Sequence, residues 1–278
     1  LLQGDDHLII TANTAGGKTE AAFLPILSKI VCEPEGSVRA VYIGPLKALI
    51  NDQFHRLEDL CERTDIPVHR WHGDVGQSNK KAMLKEPSGV LLITPESIES
   101  LFVNHAQKMP LIFGNLEFIV VDELHSFIGT ERGAHLKSLL LRVMAKSRKR
   151  VRLVCLSATL GDVEMAKKWL MPKDVMSIKH IDGGYVEREI RYLIKGYLLN
   201  KKKVCEPDED PQTNKFAEDL FQNFYGKTAL IFANSRSLLE QCADQAIRQC
   251  QKRRLPDRFR IHHGSLSKAV REEAEEAL

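Results

Sequence analysis

The sequence predicts an α/β fold, a doubly wound parallel sheet with helices on both faces. Three observations carry this. Short β-branched runs recur through the first 185 residues or so, and each is followed by apolar residues at helical spacing. The runs are continuously apolar, as strands covered on both faces are. At 278 residues with 43% hydrophobic content, the chain has enough apolar mass for one large domain or two of ordinary size.

Taken in order, the strands are "HLIITA" (7–12), "VRAVYIGP" (38–45), "VHRWHGD" (68–74), "GVLLITP" (89–95), "EFIVVDE" (117–123) and "RLVCLSAT" (152–159). The helix over 47–63 is the clearest of those between them. Its Leu49, Ile50, Phe54, Leu57, Leu60 and Cys61 fall on one face, which is a packing stripe and not a cofactor site. From Lys201 the text turns polar as "KKKVCEPDEDPQTN", a solvated linker with two prolines. After it "KTALIFAN" (227–234), a long helix (235–254) and "FRIHHG" (259–264) restart the alternation. The expected organisation is a first domain over 1–185, a connecting segment over 186–215 and a partial second α/β unit over 216–278.

The formal charge of +3 arises from 40 basic and 37 acidic residues, so any nucleic-acid footprint has to be local. The basic runs "KSRKR", "KKK" and "KRR" read as solvated loops. Six cysteines without a C-x-x-C pair form neither a zinc ligand set nor a disulfide framework, and read as reduced thiols. No apolar run reaches the ~18 residues of a membrane span and no signal-peptide pattern opens the chain, so a cytoplasmic protein with no membrane partner is expected. Because it opens on Leu1, it is also expected to be a fragment.

The chemistry begins at "TANTAGGKTE" (11–20). A strand gives way to a small-residue turn over Thr14, Ala15, Gly16 and Gly17, and then to Lys18, Thr19 and Glu20 at the start of a helix. Main-chain N–H groups at a helix start hold anions, a lysine there reaches the β and γ phosphates of ATP, and a threonine hydroxyl ligates Mg²⁺. The run departs from G-x-x-x-x-G-K-[ST] by Ala12 in place of the first glycine. The alternative is a glycine-rich turn that only caps a helix.

Such a loop needs carboxylates at another strand end, and "EFIVVDELH" offers Asp122 and Glu123. Asp122 would hold Mg²⁺, directly or through water, and Glu123 would orient or deprotonate the attacking water. The plainer reading is that the pair caps the following helix. His125 stands near these carboxylates, but no other His or Cys follows at ligand spacing, which argues against zinc.

Read in order, "ANTAGGKT", "GPLKAL", "HGD", "ITPES", "VVDELH", "LSATL", "LIFANSR" and "HHGSLS" resemble the motifs of superfamily 2 helicases of the DEAD/DEAH type, from motif I to the segment after motif IV. Within that superfamily, "VVDELHSFIGTERGAHLKSLLLRV" and "HHGSLSKAVREEAEEAL" are most similar to the large helicase-related (Lhr) group. The resemblance implies a RecA-like P-loop NTPase sheet with the start of a second RecA-like lobe. It also implies an ATP-dependent helicase or translocase on single-stranded nucleic acid, with DNA favoured over RNA and 3′ to 5′ movement. A role in DNA repair is a further expectation from it.

By the same resemblance Lys18, Asp122 and Glu123 are catalytic, Thr19 and Asp122 bind Mg²⁺, and residues 14–20 bind ATP. His125, Ser157 and Thr159 would couple the nucleotide state to the gap between lobes. Nucleic-acid contacts map onto Pro45, Lys47, Gly73, Thr94, Pro95, Arg132 and Gly133, and in the second lobe onto Asn234, Ser235, Arg236, His263 and Ser265. Strand-to-helix junctions at "PLKAL" and "TPES" support phosphate contacts, although Thr94, Pro95, Ser157 and Thr159 would serve equally as ordinary caps. The adenine-reading glutamine is expected before Leu1 and the arginine finger after Leu278, so the chain alone is expected to hydrolyse ATP poorly. The rivals are an RNA helicase of the same superfamily, a non-hydrolysing nucleic-acid-binding module and, weakest, a small-molecule P-loop kinase.

Overall fold

The computed structural model describes residues 4–13, 16–30, 36–184, 191–197 and 211–278, without the side chains of 211–214 and 268. The chain divides into two compact units, Leu1–Arg188 and Glu189–Leu278.

In the first unit the strands are β1 (His7–Thr11), β2 (Ala40–Ile43), β3 (Val68–Trp71), β4 (Val90–Ile93), β5 (Phe118–Val121), β6 (Arg152–Ser157) and β7 (Ile178–Asp182). They form one parallel sheet in the order β3-β4-β2-β5-β6-β1-β7. The helices are α1 (Lys18–Ile30), α2 (Lys47–Cys61), α3 (Gln77–Lys85), α4 (Pro95–Asn104), α5 (Met109–Phe113), α6 (Glu131–Met144) and α7 (Val163–Leu170).

Successive strand residues point to opposite faces, and the two cores follow that period. Leu8, Ile10, Ala40, Tyr42, Leu92, Val120 and Leu156 pack with α1 and α2. Ile9, Val41, Ile43, Ile93, Val121 and Cys155 pack with α3 to α7. The neighbours β1 and β6 therefore send their following helices to opposite faces. In an open parallel sheet that divergence leaves a crevice beyond the strands' C-terminal ends.

Six of the seven strands are those the sequence predicts. The seventh, β7, is absent from that reading for a physical reason. As an edge strand it buries only Ile178 fully and leaves Lys179, Ile181 and Asp182 exposed, so it carries no continuous apolar run.

The second unit differs from expectation. It contains α8 (Pro211–Phe224), α9 (Arg236–Lys252) and α10 (Lys268–Glu276), and no strand among the described residues. The strands expected at 227–234 and 259–264 do not form: neither segment has a ladder partner among the described residues, and Leu230 and Phe232 are 66% and 89% exposed. An apolar run is a strand only when a neighbour takes its main-chain hydrogen bonds. α8 and α9 instead bury Ala217, Leu220, Phe221, Ala243, Ala246 and Cys250. α8 also begins within the stretch read as connecting segment.

Candidate nucleotide and nucleic-acid site

The loop from β1 to α1 is built around two glycines. The Gly16 N–H donates to the Asn13 carbonyl at 2.9 Å, and a Cβ on Gly16 would stand 2.8 Å from that oxygen. Gly17 has φ +70°, a region that side-chain-bearing residues rarely adopt. Lys18 Nζ donates to the carbonyls of Ala12 (2.8 Å) and Asn13 (3.0 Å), which holds the ammonium over the turn. Thr19 is buried one residue into α1. Glu20 forms an ion pair with Arg56 of α2, and its Oε2 is enclosed without a hydrogen bond. Thr14 and Ala15 lie outside the described residues.

Asp122 follows β5 and is buried. One carboxylate oxygen accepts from the Glu123 N–H at 2.8 Å and the other from the Tyr42 hydroxyl. Burial, and then the adjacent Asp122 charge, push the Tyr42 phenol far above its ordinary range, so it remains a donor. Glu123 adopts a left-handed conformation at φ +49°, a strain of roughly 1–3 kcal/mol in a residue with a side chain. Its Oε2 is enclosed without a hydrogen bond, and His125 Nδ1 lies 3.4 Å away. Ser157 gives its hydroxyl proton to the Thr159 carbonyl at 2.9 Å, so in the 3.0 Å contact His125 Nδ1 is the donor.

These groups share one edge. β6 lies between β5 and β1, in register Val121↔Cys155 and Thr11↔Ser157, and the Ala12 N–H donates to the Ser157 carbonyl at 3.3 Å. Two strand spacings of about 4.8 Å separate β1 from β5. The ends that carry Lys18 and Thr19, Asp122 and Glu123, and Ser157 and Thr159 thus open in the same direction.

The residues fit a triphosphate with Mg²⁺. The turn is close-packed at Gly16, where a Cβ would meet the Asn13 carbonyl, α1 opens directly after it with Lys18 and Thr19, the end of a helix at which N–H groups hold anions, and Glu123 keeps an unbonded acceptor. Among the described residues no group of three or more His, Cys, Asp and Glu is placed to hold a metal ion.

The other half of the edge, beyond β2, β3 and β4, carries the remaining first-unit residues. Pro45 follows β2, and Lys47 opens α2 with its Nζ 3.1 Å from Asp74 Oδ1. A Cβ on Gly73 would stand 3.2 Å from the same Nζ. Asn51 Oδ1 accepts from Arg70 and lies 3.0 Å from His72 Nε2, which ties α2 to the end of β3. Thr94 is the buried N-cap of α4 with Pro95 at its first position, and its hydroxyl donates to Ser97 Oγ at 3.0 Å. Arg132 grips Glu96 with two bonds of 2.5 and 3.0 Å. Burial raises the Glu96 carboxyl, but the bonds and charge of Arg132 outweigh it and hold the group below its ordinary value. Gly133 gives its N–H to Thr130 Oγ1, and a Cβ there would lie 1.8 Å from the Phe127 carbonyl, so its place is one of close packing.

In the second unit, Ser235 caps α9 by accepting from the Leu238 N–H at 3.2 Å, directly after the exposed Asn234. Arg236 donates to Ser265 Oγ. The Ser265 N–H donates to His263 Nδ1 at 3.3 Å, leaving His263 Nε2 to donate to Glu240 at 3.1 Å. Those sequence-selected residues thus gather at the start of α9. Sequence reasoning missed Tyr42, Asp74 and Glu96 as partners of the selected residues. The available signal was a tyrosine near the end of an otherwise aliphatic strand, and carboxylates inside "HGD" and "TPES".

The family model for the DEAD/DEAH box helicase matches residues 1–166. The ATP-dependent helicase Lhr-Core of Saccharolobus solfataricus is 31% identical over 297 residues, covering 100% of this chain and 33% of that protein. Lhr-Core of Methanothermobacter thermautotrophicus is 31% identical over 304 residues, covering 98% and 33%. The structure of Mycobacterium smegmatis helicase Lhr bound to ssDNA and AMP-PNP matches with a TM-score of 0.73 at 26% identity, covering 99% of this chain and 36% of that one. The chain spans about a third of the length of the curated relatives it matches. Its helix-flanked parallel sheet is the RecA-like fold that the sequence resemblance implied.

Proposed function

The chain belongs to the DEAD/DEAH box helicase family, and from that premise we propose that it is part of an ATP-dependent helicase or translocase that moves 3′ to 5′ on single-stranded DNA. The observation that carries this reading is the shared edge: the Lys18–Thr19 and Asp122–Glu123 pairs open beyond strands that flank β6 on its two sides. DNA is preferred because the M. smegmatis relative holds ssDNA.

Lys18 and the N–H groups that open α1 bind the β and γ phosphates, and Thr19 and Asp122 orient Mg²⁺ with Tyr42 holding Asp122 in place. Bound MgATP supplies a phosphoryl group for transfer to water. Glu123, with its unbonded Oε2, accepts the proton of that water. His125, which stands 3.4 Å from the Glu123 carboxylate, is tied through Ser157 and the Thr159 carbonyl to the chain just ahead of α7. Lys47, Arg132 and the N-terminal ends of α2 and α4 attract strand phosphates without reading bases. In the second unit Asn234, Ser235, Arg236, His263 and Ser265 form the other phosphate grip.

Glu123→Gln, made in the longer helicase of which this chain is proposed to be part, tests the reading. Strand-stimulated ATP turnover should fall about 10²- to 10⁴-fold while nucleotide binding persists, and unchanged turnover would overturn the role of Glu123. Stimulation by single-stranded RNA equal to that by DNA would overturn the choice of DNA. Displacement of a duplex loaded from a 5′ overhang in preference to a 3′ one would overturn the polarity.

A further inference from the structure

Resting on the phosphate-loop reading, we propose that Gly183 is a positioning residue for that loop: by lacking a side chain it makes room for the Ala12 methyl and so sets the path of the chain that carries Lys18's carbonyl anchors. The loop has alanine where the G-x-x-x-x-G-K-[ST] pattern has its first glycine, and that methyl has to be housed. It lies between two glycines. A Cβ on Gly183 would stand 2.8 Å from the Ala12 Cβ, and a Cβ on Gly16 would stand 3.2 Å from it.

The end of β7 is tied to the same spot by hydrogen bonds. The Gly183 N–H donates to the Thr11 carbonyl at 2.7 Å, and Thr11 Oγ1 lies 2.8 Å from His180 Nε2. Asp182 Oδ1 accepts from the Gly184 N–H at 3.1 Å and stands 3.5 Å from Thr11 Oγ1. A methyl group has no rotamer to change, so a side chain at 183 displaces main chain, either that of Ala12 or its own. On the Ala12 side the carbonyl that moves is the one holding Lys18 Nζ at 2.8 Å. The effect is steric and not conformational, because φ at Gly183 lies outside the left-handed region.

The experiment measures the affinity of the full chain for a fluorescent ATP analogue with Mg²⁺, alongside its melting temperature. Gly183→Ala should bind about ten-fold more weakly, the effect expected when the charged hydrogen bond from Lys18 Nζ to the Ala12 carbonyl is lost. It should melt close to the unaltered chain, since Gly183 is exposed at the end of an edge strand. Adding Ala12→Gly should recover most of the affinity. Unweakened binding by Gly183→Ala, or a loss of binding or folding that Ala12→Gly leaves unrepaired, would overturn the proposal. If the unaltered chain binds the analogue and only the variants misbehave, the phosphate-loop reading stands and this inference falls alone; if the unaltered chain does not bind it, both fall.

Discussion

The two halves of the sheet's C-terminal edge hold their functional groups in different ways. Around β5, β6 and β1, Asp122 is buried, both of its oxygens are bonded, and the neighbouring groups are set by a strained backbone at Glu123 and glycines at 16 and 17. Around β2, β3 and β4, the cations are at the surface and each is paired with a carboxylate, Lys47 with Asp74 and Arg132 with Glu96. The contrast matches the two tasks proposed for these halves. Phosphoryl transfer requires dipoles preorganised before the substrate arrives, whereas a travelling strand requires attraction that is weak and exchangeable at each phosphate.

The largest effect that would sharpen this contrast is expected at Tyr42. In Tyr42→Phe a buried carboxylate oxygen loses its partner, which should cost about 1–3 kcal/mol of unfolding free energy by urea titration, and Mg²⁺-dependent nucleotide binding should weaken with it. Unchanged stability would show that the nucleotide half is not preorganised through that bond.

A smaller effect is expected in the other half. Lys47 and Asp74 are about half exposed, so their pair is worth at most about 1 kcal/mol. Asp74→Asn should tighten single-stranded DNA binding by no more than about five-fold, and Lys47→Ala should weaken it and reduce the salt slope by about 0.7. Equal salt slopes for Lys47→Ala and the unaltered chain would remove Lys47 from the phosphate contacts.

The smallest effect concerns acid. Bonds from Arg142 and His135 hold the Glu99 carboxyl below its ordinary value, and those from Arg132 do so for Glu96 against the opposing effect of burial. Carboxyls lowered in the folded state stabilise it fully above the ordinary range, and that contribution fades as pH falls through it toward the folded-state value. The melting temperature should therefore be insensitive to these two groups at neutral pH and decline below about pH 4.5. A Glu96→Gln, Glu99→Gln variant should lose part of that decline, and an identical acid profile would sink the assignment.

Much of the first unit was legible in the sequence because its inner strands are buried on both faces and so are written as unbroken apolar runs. The phosphate loop was legible for another local reason, since Gly17 at φ +70° and the crowding at Gly16 demand glycine whatever surrounds them. β7 escaped notice because half of an edge strand faces water. The segment 227–234 misled in the opposite sense: its composition is that of a strand, yet composition supplies no partner for its hydrogen bonds. Tyr42 was hidden because it meets Asp122 from 80 residues away.

By itself the sequence determined six of the seven strands of the first unit, where the chain turns after β1, and that a lysine, a hydroxyl and a carboxylate pair stand at strand ends. Tertiary structure alone decided that β6 enters between β5 and β1, so that those strand ends face one crevice, and that Gly183 arrives beside Ala12 from across the chain. The reason is that parallel strands are joined by crossovers, which leave the neighbours of each strand unspecified by local periodicity. Their order is settled by how the helices of both faces pack together.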